Sequence, residues 1–176
     1  MVRCLWPDCQ MARGIAVPHN RHTCHAELNN AARPRYHPRM RKTLYRANTP
    51  CPCESGETYV QCCGPWHVGL DEGHFAPSAE ALMRSRYSAY VLGLIDYLLA
   101  TWHGSTAPGE LELRPVKWLG LELRHAQESG DAGVVEFVAR LRDTGRGERI
   151  HEISRFVREN SRWYYIDGQI MDENTQ

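Results

Sequence analysis

Four of the seven cysteines in this 176-residue chain lie within one stretch of 13 residues and have the spacing of a zinc site. They are Cys51, Cys53, Cys62 and Cys63. Zinc prefers four nitrogen or sulfur ligands in a tetrahedron, and a pair of thiolates on one tight turn supplies half of them. Between the two pairs, Ser55 and Gly56 favour a chain reversal that returns the second pair to the first. The spacing therefore predicts one bound Zn²⁺.

His67 is a rival for the fourth ligand position, because the adjacent residues Cys62 and Cys63 point in different directions and one could miss the metal. We expect Cys63 to be the ligand. Four protein ligands leave no coordination position open for water, so the zinc is predicted to be structural and not catalytic. The alternative is that the four cysteines are reduced and buried as small apolar residues. The polar sequence around them disfavours it.

A second set of residues could bind a small molecule. The candidates are Arg84, Arg86, Tyr87, Trp102 and His103. Trp102 could stack on a flat or apolar ligand, while His103 could hydrogen-bond to it or move a proton near neutral pH. The two arginines could hold an anion. Further polar residues that could face the same cavity are Tyr90, Glu136, His151, Glu152 and Arg155.

Each of these candidates also has a structural explanation. His103 could cap a helix or form a hydrogen bond that serves packing alone. Arg84 and Arg86 could lie on a solvated helix face or pair with sheet carboxylates such as Glu136 or Glu152. The sequence contains no phosphate-binding loop, no nucleophile elbow and no metalloprotease motif. Whether the chain is an enzyme stays open, and the balance is against it.

The elements that must position these residues are helices followed by strands. Apolar side chains recur every three or four residues over 79–99 and predict a helix, with Gly93 expected to bend or divide it. After Pro115 the pattern changes to short segments rich in strand-forming residues. The predicted strands are 116–124, 134–141, 150–158 and 163–166, separated by sequences suited to hairpin turns. This order predicts an α+β fold with an antiparallel sheet.

Residues 1–47, here called the leader, differ in composition from the rest. Their net charge is strongly positive, with four prolines and few large aliphatic residues, whereas the remainder is acidic and the whole chain has a net charge of zero. We expect the leader to be mostly unstructured and residues 1–39 to be dispensable. It could be a transit peptide, a nucleic-acid-binding arm or sequence upstream of a true start at Met40. Its own cysteines, Cys4, Cys9 and Cys24, are not predicted to bind metal.

The composition also limits the expected location and partners of the protein. No apolar run reaches the length of a membrane helix, and the first residues lack the apolar segment of a secretory signal. We therefore expect a cytoplasmic protein without a membrane partner. The balanced overall charge and the acidic remainder disfavour a nucleic-acid partner. The oligomeric state does not follow from the sequence.

Several motifs carry a family resemblance. The run from Cys51 to Cys63 resembles the SEC-C motif, a small zinc module of the SecA preprotein translocase tail and other bacterial proteins. Three further sets of residues are similar to the YchJ family of uncharacterised bacterial proteins. They are Ala79-Glu80-Ala81-Leu82-Met83-Arg84-Ser85-Arg86-Tyr87-Ser88-Ala89-Tyr90, then Tyr97-Leu98 with Thr101-Trp102-His103, and finally Ser154-Arg155-Phe156 with Arg162-Trp163-Tyr164-Tyr165. Two departures are Gly104, where the family usually has proline, and the absence of a second SEC-C copy before Gln176.

The resemblance implies a definite architecture. It divides the chain into a zinc knuckle at 48–70, an α+β body at 71–170 and a tail at 171–176. The body would be cone-shaped like nuclear transport factor 2, with a curved antiparallel sheet wrapped around N-terminal helices. The likeness to the SecA tail also implies a protein partner that binds the knuckle.

Two functions from different classes remain. The first is a protein-interaction module in which a structural zinc ion holds the knuckle. The second is a small-molecule-binding protein or enzyme with its site in the cone cavity near Trp102 and His103. An enclosed cavity with convergent polar groups would favour the second function, whereas an interior filled by tryptophan and tyrosine rings would favour the first.

Overall fold

The structure is a computed structural model that describes residues 48–171. The leader, with its cysteines and Met40, and residues 172–176 lie outside the described residues, so the predictions made for them stay predictions. The helices are α1 (Gly64–Val68), α2 (Ala79–Leu92) and α3 (Ile95–Ala100), with short 3₁₀ turns at Tyr59–Gln61 and Leu70–Glu72. The strands are β1 (Lys117–Ser129), β2 (Ala132–Asp143), β3 (Arg146–Glu159) and β4 (Arg162–Ile170).

Helix α2 begins and ends where the sequence predicts. The side chain of Ser78 accepts a hydrogen bond from the backbone N–H of Ala81 at 3.0 Å and caps the first turn. Gly93 ends the helix with φ of 70°, a left-handed conformation that glycine adopts without steric cost. Helix α3 starts two residues later at Ile95. The predicted division of the helical region at Gly93 is confirmed.

The four strands form one antiparallel sheet in the order β1-β2-β3-β4. Two-residue turns join them, and the turn at Asn160 and Ser161 has φ of 49° and 64°, as tight hairpin turns require. All four predicted strands are present, and each is longer than predicted. In β1 the extra residues, 125–129, lie at an exposed strand end where no apolar pattern marks a strand.

Irregularities in strand pairing help to curve the sheet. Register shifts interrupt β1 between Trp118 and Gly120 and the β3–β4 ladder at Arg155 and Phe156. Such bulges bend a strand and increase its twist. The result is a few helices packed against a curved antiparallel sheet, which confirms the predicted α+β architecture.

A single cluster of buried side chains joins the knuckle to the body. Cys51, Cys53 and Tyr59 from the knuckle belong to the same cluster as α2 and the inner face of the sheet. The largest buried residues of the body include Tyr97, Phe137, Leu141, Phe156 and Trp163. Aromatic rings thus occupy much of the space between the helices and the sheet. Within residues 48–171, no helix combines the length and apolar character needed to cross a membrane.

Candidate metal centre

Backbone hydrogen bonds fold the knuckle into a tight loop that brings its two cysteine pairs together. The N–H of Cys51 donates to the carbonyl of Glu57 at 2.9 Å, and the N–H of Tyr59 donates to that of Thr49 at 2.8 Å. The chain reverses at Gly56, whose φ of 89° lies in the left-handed region. The 3₁₀ turn after Thr58 then leads directly to the second cysteine pair.

The four predicted ligands lie side by side. The Sγ atoms of Cys51, Cys53, Cys62 and Cys63 are all within 4.8 Å of one another. The Sγ of Cys53 is 3.4 Å from that of Cys51 and 3.5 Å from that of Cys62, and the Sγ atoms of Cys62 and Cys63 are 3.8 Å apart. A tetrahedron with Zn–S bonds of about 2.3 Å has sulfurs about 3.8 Å apart. The donor set and its spacing therefore fit a metal ion such as zinc.

The four sulfurs differ in their surroundings. Cys51, Cys53 and Cys63 are buried, whereas Cys62 is half-buried and accepts a hydrogen bond from the exposed hydroxyl of Ser55 at 3.2 Å. Hydrogen bonds with Cys51 and Cys63 lower the pKa of the Cys53 thiol. Burial raises the pKa of Cys62 to about 11. Metal binding has to displace that proton.

His67, the rival ligand, is fully buried and uses both ring nitrogens elsewhere. Its Nδ1 lies 2.7 Å from the hydroxyl of Tyr59, and its Nε2 lies 2.9 Å from the backbone carbonyl of Ser85 on α2. Its ring also packs edge-on against Tyr97 at 4.4 Å. Burial lowers the pKa of His67 to about 4, so the ring stays neutral. This geometry favours Cys63 over His67 as the fourth ligand.

Helix α2 contributes polar groups to the knuckle in a role that the sequence did not predict for them. The buried hydroxyl of Ser88 donates to the Sγ of Cys63 at 3.3 Å and lies 3.7 Å from the Sγ of Cys51. Arg84 donates from Nη1 to the carbonyl of Cys53 at 3.2 Å and from Nε to Glu80 at 2.9 Å. Ser88 follows Cys63 by 25 residues in the chain, so ligand spacing gives no signal for it.

Of the proposed small-molecule residues, Trp102 and His103 line an open groove of about 780 Å³ between α3 and the β3–β4 turn. The groove is lined by Leu70, Asp71, Asp96, Leu99, Ala100, Trp102, His103, Gly104, Ala107, Glu159, Arg162 and Tyr164. Arg84, Arg86 and Tyr87 are not among these lining residues. The five proposed residues therefore do not converge on one site.

Trp102 and His103 are held in different ways. The indole of Trp102 is buried, donates to the carbonyl of Ile166 at 3.2 Å and packs edge-on against Tyr165 at 5.0 Å. The imidazole of His103 is half-buried, and its nitrogens lie 2.6 Å from the hydroxyl of Ser105 and 3.2 Å from Glu159. Both partners of His103 are exposed. The histidine therefore has no buried partner that depends on it.

Arg86 points into the interior of the body and not onto a solvated helix face. It is fully buried, donates from Nη1 to the carbonyl of Leu98 at 2.7 Å and to the hydroxyl of Thr101 at 2.8 Å. Its guanidinium also lies 5.1 Å from the ring of Trp102 and 4.6 Å from that of Tyr165. Such a cation held over aromatic faces joins α2, α3 and β4.

Glu152 on β3 is the buried carboxylate of the same interior. Its Oε1 accepts a hydrogen bond from the hydroxyl of Ser154 at 2.5 Å and a longer one from Tyr165 at 3.4 Å. Its Oε2 is buried without a hydrogen-bond partner among residues 48–171. Burial raises the pKa of Glu152 to about 7. The carboxyl therefore changes charge near neutral pH.

The buried Tyr90 lies in this interior near Arg86 and Glu152, whereas the other polar candidates lie apart from it. Tyr87 packs edge-on against Trp118 with 5.4 Å between ring centres, and burial raises the pKa of its hydroxyl to about 12. His151 pairs with Glu136 at 2.7 Å. The exposed Arg155 forms a bidentate pair with Asp167.

Comparison with known proteins assigns both parts of the chain. A model described as YchJ, middle NTF2-like domain, matches residues 78–168, and a model of the SEC-C motif matches residues 48–65. A UPF0225 protein from Bordetella pertussis is 56% identical over 123 residues, which cover 68% of this chain and 92% of the relative. One from Chromobacterium violaceum is 52% identical over 136 residues, covering 73% and 98%.

Two solved structures share the fold. The solution structure of a SEC-C motif containing protein from Rhodopseudomonas palustris has a TM-score of 0.61 at 37% identity and covers 69% of this chain and 98% of its own. The crystal structure of a SEC-C motif containing protein from Psychrobacter arcticus has a TM-score of 0.58 at 30% identity, with coverage of 72% and 85%. In both, the likeness extends over most of the neighbour.

Proposed function

The chain belongs to the YchJ family, whose members here are named UPF0225 proteins, and from this premise we propose that it is a structural zinc protein whose knuckle docks onto another protein. The observation that carries the zinc assignment is the mutual approach of four Sγ atoms within 4.8 Å, three of them on buried cysteines. Four thiolates would close the coordination shell, so the metal would stabilise the knuckle and leave no position for a catalytic water.

Metal content tests the zinc assignment. Purified wild-type protein is expected to contain one zinc ion per chain, and Cys62→Ser and Cys63→Ser are each expected to lose it. Cys4→Ser is a matched control in the leader and should keep the metal. If His67→Ala loses zinc while Cys63→Ser keeps it, His67 is the fourth ligand. A wild-type protein that contains no zinc after gentle purification would refute the assignment.

The proposed docking surface is the outer face of the knuckle. Val60 and Val68 are 37% and 47% exposed, and Pro65, which lies between them in the chain, is exposed as well. The opposite side of the same segment buries Cys63 and His67 against α2. Zinc would therefore fix a small apolar surface at the periphery of the molecule.

Affinity capture with three baits tests the docking surface. We expect a protein partner to be recovered with the wild-type chain and to be lost with Cys51→Ser/Cys53→Ser, which disrupts the knuckle. Val68→Asp should also lose the partner while retaining zinc, because the substitution changes an exposed side chain alone. A partner that binds all three proteins equally does not use this surface.

A second candidate function is small-molecule binding in the groove at Trp102 and His103. The groove favours it because it combines a volume of about 780 Å³ with an indole, an imidazole and the ring of Tyr164. Against it, the interior of the body is occupied by Arg86 and aromatic rings, so the candidate ligand site is an open groove and not the enclosed cone cavity.

A further inference from the structure

The buried hydroxyl of Ser88 contacts the cysteine sulfurs from a different part of the chain. Ser88 belongs to α2, within the residues matched by the NTF2-like family model, whereas the cysteines belong to the SEC-C motif. Its Oγ lies 3.3 Å from the Sγ of Cys63 and 3.7 Å from the Sγ of Cys51. Both distances fall within the range for hydrogen bonds that involve sulfur. Each contacted sulfur is a predicted metal ligand.

Ser85, one turn earlier on the same helix, shows that this arrangement is specific to Ser88. Both serines are fully buried. The hydroxyl of Ser85 donates to the carbonyl of Leu82 at 2.8 Å and bonds to the hydroxyl of Tyr97 at 2.7 Å, which satisfies it within the body. For Ser88, the hydrogen bonds found within residues 48–171 go to sulfur. The hydroxyl of Ser85 therefore has its hydrogen-bond partners within the body, whereas that of Ser88 has its partners in the knuckle.

The negative charge of four thiolates around a zinc ion would give the contacts of Ser88 a function. Four thiolates around Zn²⁺ carry a net charge of −2, and such a charge is costly to bury without hydrogen-bond donors or cations nearby. A metal-bound thiolate can only accept hydrogen bonds, and the Ser88 hydroxyl is placed to donate one to Cys63. Arg84 lies one helical turn from Ser88 and brings its guanidinium to the carbonyl of Cys53 at 3.2 Å. Both groups face the knuckle from α2.

We propose that α2 of the body tunes the metal affinity of the knuckle through Ser88 and Arg84, so that full zinc affinity requires the folded body. The inference rests on the zinc site proposed above. It makes Ser88 and Arg84 positioning residues, since neither contacts the metal. Groups that hydrogen-bond to metal ligands commonly change affinity by about 10- to 100-fold when they are removed.

Competition with a chromogenic chelator on the full-length chain tests the proposal. Ser88→Ala is expected to weaken zinc binding roughly 10-fold or more. Ser85→Ala is the matched control, with the same residue type, helix and burial, and its affinity should stay within about 2-fold of wild type, because its hydroxyl does not contact sulfur. In the Co²⁺-substituted protein, the thiolate-to-cobalt absorption band should shift for Ser88→Ala and not for Ser85→Ala.

Arg84→Gln tests the same proposal at a half-buried site, where a shortened side chain disturbs packing less than in the core. Its zinc affinity should fall by about 3-fold at low salt, whereas the exposed control Arg124→Gln should bind as wild type does. Unchanged affinity in both Ser88→Ala and Arg84→Gln, or an equal loss in Ser85→Ala, would overturn the inference. Failure of the wild-type protein to bind zinc would instead refute the proposed function.

Discussion

Strands β1 to β4 hold the body together through three antiparallel ladders and a core of aromatic and aliphatic side chains. The knuckle has one short 3₁₀ turn, one short helix and short-range backbone hydrogen bonds. Its buried side chains are those of Cys51, Cys53, Tyr59, Cys63, His67 and Leu70. We therefore expect the two parts of the chain to draw stability from different sources. Apolar burial should suffice for the body, whereas the knuckle should depend on its ligands and on contact with α2.

Removing the metal tests this difference and should have the largest effect of the changes considered. In chelator-treated protein, the amides of Cys51 and Tyr59 should exchange with solvent at rates near those of an unfolded chain. The reason is that structural zinc supplies about 10–16 kcal/mol in small zinc-dependent folds, and the knuckle has little else to order it. Amides in β2 and β3 should keep their protection. Hydrogen exchange followed by mass spectrometry or NMR measures both regions at once.

Adding zinc back provides the control for that experiment, and Mg²⁺, which prefers oxygen ligands, should not restore protection. Knuckle amides that remain protected without metal would show that packing on α2 suffices. Equal loss of protection in β2 and β3 would show that the knuckle and the body unfold as one unit. Either result would remove the distinction between the two regions.

The helices and strands of the body could be predicted from the sequence more fully than the contacts between the body and the knuckle. Periodicity marked α2 and its end at Gly93, because both follow from local chain geometry. It could not place Arg86, since a helical arginine usually faces water and only tertiary packing turns it inward. The cysteine spacing predicted four residues that lie close enough to hold a metal ion. It gave no sign of Ser88 or of the Ser85 carbonyl bonded to His67, which lie on α2. Such long-range pairs depend on how α2 is rotated against the knuckle.

The buried carboxyl of Glu152 provides a test of the body instead of the knuckle, because its ionisation should make the stability of the body depend on pH. Its pKa rises from 4.5 to about 7 because of burial, so the folded protein binds this proton more tightly than the unfolded chain does. The stability contributed by the proton is complete below about pH 4.5 and is lost as pH rises through 7. Glu152→Gln removes this dependence.

Relative to wild type, the free energy of unfolding of Glu152→Gln should rise by about 2 kcal/mol between pH 5 and pH 8, measured by urea denaturation. Taking the difference between the two proteins cancels the pH dependence of zinc release from the cysteines, which both share. Glu112→Gln changes an exposed carboxylate and is the matched control, with no such rise expected. A difference that stays constant with pH would mean that Glu152 remains charged in the folded protein.

His103→Ala should have the smallest effect on stability and decides whether the groove of the body binds a ligand. The imidazole contacts Ser105 and Glu159, which are both exposed. Its removal therefore leaves neither partner buried without a hydrogen bond, and the free energy of unfolding should fall by less than about 1 kcal/mol. Stability alone therefore cannot separate a binding role from a packing role, and binding has to be measured directly.

A fragment library screened by NMR against the wild-type protein supplies the probes. His125→Ala, which changes an exposed histidine on β1, is the control. If the groove is a site, fragments that contact Trp102 lose affinity at least about 10-fold in His103→Ala and keep it in His125→Ala. If no fragment contacts the groove, or the two variants bind alike, small-molecule binding there is wrong, and the knuckle is left as the functional surface of the molecule.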